Sequence, residues 1–264
     1  MIGFLDRIGR VVLLASVLVV TLTLCAPAGT AAAQSAPDCS EVDYTGDGTS
    51  DDPHEISNLN ELQCIEEHDL GATYHLVSDI DALQTAEWNG KAGFDPIGLP
   101  QSETGFGGTF DGRGHNITRL SINRSGRLVD FGLFGKVTES GTVKNVSVVN
   151  AVVRGDSGVG VVVGFNEGTV ERTSASGVVY GSGNAVGGLV GSNFGRISKS
   201  FADVTVDGDL GTSGVGGLSG ANTDGLIEDS YAVSEVDGST YVGGLVGANY
   251  GRIARSYTAS DVDA

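Results

Sequence analysis

Over the second half of the chain, apolar residues come in short runs that alternate with polar ones and are cut by Gly, Asn or Asp. Val204-Thr205-Val206 is one such run. Short β-branched runs between turn residues read as strands rather than helices. The pattern repeats. Gly187-Gly188-Leu189-Val190-Gly191-Ser192-Asn193-Phe194-Gly195 returns as Gly243-Gly244-Leu245-Val246-Gly247-Ala248-Asn249-Tyr250-Gly251. A third copy, Gly216 to Asn222, carries one extra residue before Gly225, and a fourth, Gly160 to Gly168, is eroded. The copies begin at 160, 187, 216 and 243, so the steps are 27, 29 and 27 residues. A fixed period of this length marks a stacked repeat architecture.

Within each period the glycine is followed by an aliphatic residue (Val170, Ile197, Ile227, Ile253). Three positions later comes a hydroxyl (Thr173, Ser200, Ser230, Ser256). An aromatic then follows in three copies (Phe201, Tyr231, Tyr257). One such unit cannot bury its own apolar face, but stacked units share a continuous core. Equivalent residues then lie about 4.8 Å apart and form ladders. Asn166, Asn193, Asn222 and Asn249 are expected to form an amide ladder at a turn. Phe201, Tyr231 and Tyr257 are expected as a buried core ladder in preference to an exposed stripe for carbohydrate. Gly132-Leu133-Phe134-Gly135 lies one period before the eroded copy, whose two valines, Val161 and Val162, predict a looser coil. The fold expected is all-β, a β-solenoid of about five coils of 27–29 residues. An irregular N-terminal cap region, 34–105, precedes the repeats at 106–264.

The Gly-Gly-Leu-Val-Gly-x-Asn-x-Gly-x-Ile core followed by Ser-Tyr resembles the GLUG-motif repeat of secreted and surface proteins. Upstream, Gly46-Asp47-Gly48-Thr49, Phe94-Asp95-Pro96-Ile97-Gly98 and Gly108-Thr109-Phe110-Asp111-Gly112 are similar to the region that often precedes such repeats. The resemblance covers most of residues 44–264. It implies a β-helix-like region in extracellular proteins, often associated with adhesion or with proteases, and supplies no catalytic residues.

At the N-terminus, Arg7 and Arg10 precede an apolar run from Val11 to Leu24, and Ala31-Ala32-Ala33 offers a small-residue cleavage site. This reads as a Sec-type signal peptide, residues 1–33, with cleavage near Ala33. Secretion or cell-surface display follows, with no transmembrane helix expected in the mature chain. Lipidation at Cys25 is disfavoured by the bulky Leu24 before it. Removing the leader leaves Cys39 and Cys64, which in an exported chain most simply form one disulfide across the cap.

The charge balance narrows the partners. Thirty-three acidic residues against fifteen basic ones give a net charge of −18 and a pI near 4.3. Such a chain repels nucleic acid rather than seeking it. Lysine-poor acidity suits solubility in concentrated salt, where screening removes self-repulsion, so a halophilic source is expected.

Candidate chemistry is sparse. Asp43 to Asp52 faintly suggests a calcium loop, but Thr45 and His54 stand where oxygen ligands should, and an acidic turn accounts for the segment better. His54, His68, His75 and His115 follow no zinc spacing. A polysaccharide-active enzyme on a β-helix is the alternative. Asp79, Asp81, Asp95, Asp111, Asp203 and Asp207 could supply its acid and base, but plentiful carboxylates make proximity weak evidence. No catalytic, metal or cofactor residues are assigned. Three sequons, at Asn116, Asn123 and Asn145, are candidate glycosylation sites, the last in a predicted strand. Ser256 to Ala264 aligns with Ser230 to Gly238, so two expectations stand: the chain is a fragment of a longer protein, or its open last coil pairs with another molecule. The reading is a non-catalytic structural or adhesion protein that contacts a cell-surface glycan or protein. A stalk or accessory region of a larger surface enzyme is the runner-up.

Overall fold

The computed structural model describes residues 35–99, 105–124, 126, 130–209 and 211–264; the signal peptide expected at 1–33 lies outside them. A parallel β-solenoid of about five turns occupies most of the described chain. One coil runs through strands Val163–Asn166, Thr169–Glu171, Ser174–Gly181 and Asn184–Gly187. Each strand pairs in parallel with its counterpart in the next coil, Val190–Asn193, Arg196–Ser198, Phe201–Gly208 and Ser213–Gly216. The result is four sheets of eight, five, ten and three strands running along the axis.

Alternation sets which side chains enter the core. In Phe201–Gly208, Ala202, Val204 and Val206 point inward, and Phe201, Asp203 and Thr205 point out. Register then places like on like. One inward column reads Tyr74, Phe110, Val143, Val170, Ile197, Ile227, Ile253 through successive coils. Burying each such side chain contributes about 1.5–3 kcal/mol. The first copy, expected to be looser, instead fills its core with fully buried Val161 and Val162.

Two glycine columns show why the repeated phrase tolerates no side chain. A Cβ on Gly187, Gly216 or Gly243 would stand 2.1 Å from the carbonyl oxygen three residues ahead. On Gly191 it would stand 2.5 Å from the Gly158 carbonyl carbon of the preceding coil. The chain turns and stacks too tightly there for any other residue.

At the N-terminal end, Asn58 caps the helix Leu59–Cys64 by accepting from the Asn60 and Glu61 amides. The Glu61 carboxylate accepts from the amide of Ser57, the residue before the cap, at 2.6 Å. Cys39 and Cys64 form a disulfide with Sγ atoms 2.05 Å apart. Strands His54–Ile56 and Thr73–Leu76 pair with each other, and the second pairs with Thr109–Asp111. The cap region therefore shares its sheet with the repeats. Its interior is aromatic, with Tyr74, Trp88, Phe94, Phe106 and Phe110 all buried.

Candidate functional site

The asparagines of the repeated phrase lie at the end of the five-stranded sheet, Asn166, Asn193 and Asn222 inside and Asn249 exposed. Asn166 Nδ2 donates to Asn193 Oδ1 at 2.7 Å, Asn193 to Asn222 at 2.8 Å, and Asn222 to Asn249 at 2.8 Å. Asn166 Oδ1 is left buried with no partner, because Val137 occupies the equivalent position one coil earlier. A second ladder uses the hydroxyls. The backbone amides of Thr173, Ser200 and Ser230 donate to the Oγ atoms of Ser200, Ser230 and Ser256 at 3.1–3.2 Å. Both ladders satisfy buried polar groups where the chain turns. They serve architecture, and the one unpartnered atom, Asn166 Oδ1, is buried away from any ligand.

The outer face of the long-strand sheet is different. Phe201, Tyr231 and Tyr257 were expected in the core, yet their rings are outside. Phe201 and Tyr257 are 37% and 60% exposed. The register that buries Ala202 and Ala232 turns their neighbours to solvent. Phe201 and Tyr231 rings stack 5.0 Å apart at 2°, and Tyr231 and Tyr257 5.2 Å apart at 6°. Stacked this way the rings cover one another's faces and present their edges. A sugar ring packs on an aromatic face, so this column, whose inner faces are covered ring on ring, is a poor carbohydrate platform. Beside it run carboxylates in register: Asp207, Asp237 and Asp263, then Glu235 and Asp261. They line a shallow groove of about 420 Å³. All point the same way, so no acid faces a base across a cleft.

At the corner between the eight-stranded and long-strand sheets, opposite charges alternate. A column in register reads Glu55, His75, Asp111, Lys144, Glu171, Ser198, Glu228, with Ser198 buried. From the Lys144 coil onward the next position is left-handed: Asn145, Arg172, Lys199, Asp229 and Arg255 have φ of 49–54°. Arg255 forks onto both Asp229 oxygens at 2.6 and 2.9 Å and reaches Glu228 at 2.7 Å. Hydrogen bonds from Arg196 and then Arg255 hold the Glu228 carboxyl below its ordinary range. Asp229 is lowered by Arg255. Burial alone would raise Asp111, but bonds from Asn145 and the Arg113 amide, with the Lys144 ammonium, bring it below the ordinary value. Burial raises Glu66, whose carboxylate accepts from the Gly98 and Leu99 amides. Burial raises Asp130 to about 6.

The remaining candidates are scattered. Asp47 closes an acidic turn, its Oδ1 accepting from the Thr49 amide at 3.0 Å. His54 and His68 meet Tyr44 and Tyr74 in an aromatic cluster with ring centroids 4.7–6.4 Å apart. His75 joins the corner column, and His115 sits 3.1 Å from Asp79. Spacing along the chain gave no hint of the His54–His68 contact, because it arises across two coils. Among the described residues no three His, Cys, Asp or Glu side chains are placed to hold a metal ion. Asp79 bonds His115 and Asn116, while Asp81 pairs with Arg119 and Asp95 with Arg124. Asp79 and Asp81 border one open groove, each with its own partner. Asn116 lies in a strand and Asn123 ends one, whereas Asn145, expected in a strand, makes the left-handed corner. No helix among the described residues is long and apolar enough to cross a membrane.

These coils define a repeat protein of the parallel β-solenoid class. The chain carries the GLUG motif, which matches residues 182–207. It is 42% identical over 125 residues to halomucin of Haloquadratum walsbyi, a match covering 46% of this chain and 1% of halomucin. It is 37% identical over 112 residues to a candidate Gly-rich membrane protein of Evansella cellulosilytica, covering 41% of this chain and 12% of that protein. The chain thus spans a small part of either relative. A solved structure of a candidate immunoglobulin A1 protease from Bacteroides ovatus superposes with a TM-score of 0.66, over 82% of this chain and 69% of the other. At 22% identity that likeness is one of fold alone.

Proposed function

We propose that this chain is a non-catalytic β-solenoid of a secreted or cell-surface protein, serving structure and contact rather than turnover. The observation that carries this reading is the repetition of outward side chains. Near-identical coils give columns of like residues, which suit a polymer or an extended surface, whereas catalysis needs one unique constellation. The likeness to halomucin and to a Gly-rich membrane protein supports a surface location, and the signal-like N-terminus supports export. The acidic excess fits a salt-rich environment. Asn145 serves the glycosylation reading poorly, because its amide is bonded at both ends. Self-association is assigned to the exposed strands between Thr240 and Asp263. It requires salt high enough to screen Asp261 and Asp263, and sedimentation in low and high NaCl tests it.

The deciding experiment is a screen of the mature chain against glycans and whole cells, in low and high NaCl. Binding that survives high salt supports the contact role. Absence of binding in both sinks it and leaves the second reading, a stalk or accessory region of a larger surface enzyme. The neighbour in fold favours that alternative only through architecture.

A further inference from the structure

We propose that the corner groove between Arg113 and Arg172 binds an acidic saccharide, a uronate within a linear anionic glycan. The inference deepens the glycan-contact reading above and rests on it.

The chain's charge is −18, yet cations collect along one corner of the solenoid. Arg113, Lys144, Arg172, Lys199 and Arg255 all lie there, either at a left-handed corner position or one residue before it. A left-handed backbone strains a non-glycine residue. Glycine, common elsewhere in these coils, would avoid that strain. Keeping a long cationic side chain there requires a role for the head group. In Lys199 and Arg255 that role is visible as pairing with Glu171 and with Glu228 and Asp229. Arg113 is different: it is exposed, and its guanidinium has no hydrogen bond or ion pair among the described residues.

Arg113 borders an open groove of about 520 Å³ lined by Asp111, Gly114, Asn145, Ser147 and Arg172. The volume is within the range of small-molecule sites. The one carboxylate in its wall is already countered. Asp111 accepts from Asn145 Nδ2 at 2.8 Å and the Arg113 amide at 2.9 Å, and Lys144 Nζ stands at 3.4 Å. Arg172 is held in place by Asn145 Oδ1 at 2.6 Å and by Glu171. The floor carries the Ser147 hydroxyl, which accepts from Ser174 at 2.8 Å and so has its own proton to donate. At Gly114 the groove is open, since a Cβ there would meet nothing within 4 Å.

A free guanidinium recognises a carboxylate in a bidentate fork. The hydroxyl floor suits the ring hydroxyls of the same sugar. Across the Asn145 coil, Arg113 and Arg172 are two strand spacings apart, about 10 Å. That separation lets a second acidic residue along the glycan reach Arg172.

The test is calorimetric titration of the mature chain with a hexagalacturonate and a neutral hexasaccharide, in 0.15 M and 1 M NaCl. The proposal expects the acidic oligomer alone to bind. Arg113→Glu should weaken it at least tenfold, with an unchanged circular dichroism spectrum. Arg252→Glu, an exposed cation on the same sheet far from the groove, should change affinity less than twofold. Equal losses in the two variants would mean unspecific charge attraction and would overturn the site. Binding of neutral glycans unaffected by Arg113→Glu would overturn the site while keeping the glycan-contact reading. No glycan binding at all would remove both.

Discussion

Asn193 donates its side-chain amide to Asn222 Oδ1 at 2.8 Å, although 29 residues of chain separate them. The bond exists because two coils place the same residue at the same corner. Asn193 is fully buried and bonded on both sides. Replacing it with Ala would strand the Asn166 donor and the Asn222 acceptor, at about 1–3 kcal/mol each. Asn193→Ala should therefore cost about 2–5 kcal/mol in urea unfolding. Asn249→Ala strands only the Asn222 donor and should cost less than Asn193→Ala, about 1–3 kcal/mol.

Gly191 and Gly211 separate close approach from backbone strain. A Cβ on Gly191 would meet backbone atoms of Gly158 and Gly164 at 2.5 and 2.6 Å, and neither can move without displacing a coil. Gly191→Ala should destabilise by about 3 kcal/mol or more. Gly211 has φ of +96° with nothing within 4 Å of a Cβ. Gly211→Ala should cost only the conformational strain, about 1–2 kcal/mol. Equal costs in urea titrations would refute the stacking role of Gly191.

The architecture was legible because period and strand alternation are both written in one dimension. The places of Gly191, Ile197 and Asn193 follow from counting. The aromatic column was misjudged for a definable reason. Phe201 and Ala202 are adjacent, a strand sends them to opposite faces, and ring size alone favours the core for Phe. Burial of Ala202 decides the register, because an alanine fits the narrow interior beside Gly188. The corner groove was invisible. Arg113, Asn145 and Arg172 come from three coils, and their meeting depends on left-handed corners that sequence reading took for strand or turn.

The Cys39–Cys64 bond closes a segment with a sequence separation of 25. Loop-closure entropy for such a segment is worth about 3–4 kcal/mol. The stabilisation belongs to the cap, which the repeats meet through Thr73–Leu76. In the Cys39→Ser, Cys64→Ser double variant, amides of the helix Leu59–Cys64 should exchange faster by two orders of magnitude or more. Those of Val190–Asn193 should be unchanged. Uniform loss of protection in both segments would show that cap and coils unfold as one unit.

Asp130 and the corner carboxylates push stability in opposite directions as pH falls. Burial raises the folded pKa of Asp130 to about 6, above its unfolded value of 3.8. Between these values the folded state binds the extra proton. Asp130 therefore favours folding below about pH 4, and this advantage is lost as pH rises through 6. Its size is on the order of 2–3 kcal/mol. Asp111, Glu228 and Asp229 have lowered folded values, so their contributions hold above the ordinary carboxylate range and disappear on acidification through it. Relief of self-repulsion as the pH approaches the pI near 4.3 adds to the Asp130 effect. The variant Asp130→Asn separates the two. Asn keeps the shape, tolerates the left-handed φ of 47° and removes the titration. Measured by urea unfolding at pH 3 and 7.5 in fixed salt, Asp130→Asn should be the more stable protein at pH 7.5 and nearly equal to the parent at pH 3. A variant gaining equally at both values would show that relief of global repulsion, rather than this one buried carboxyl, sets the slope.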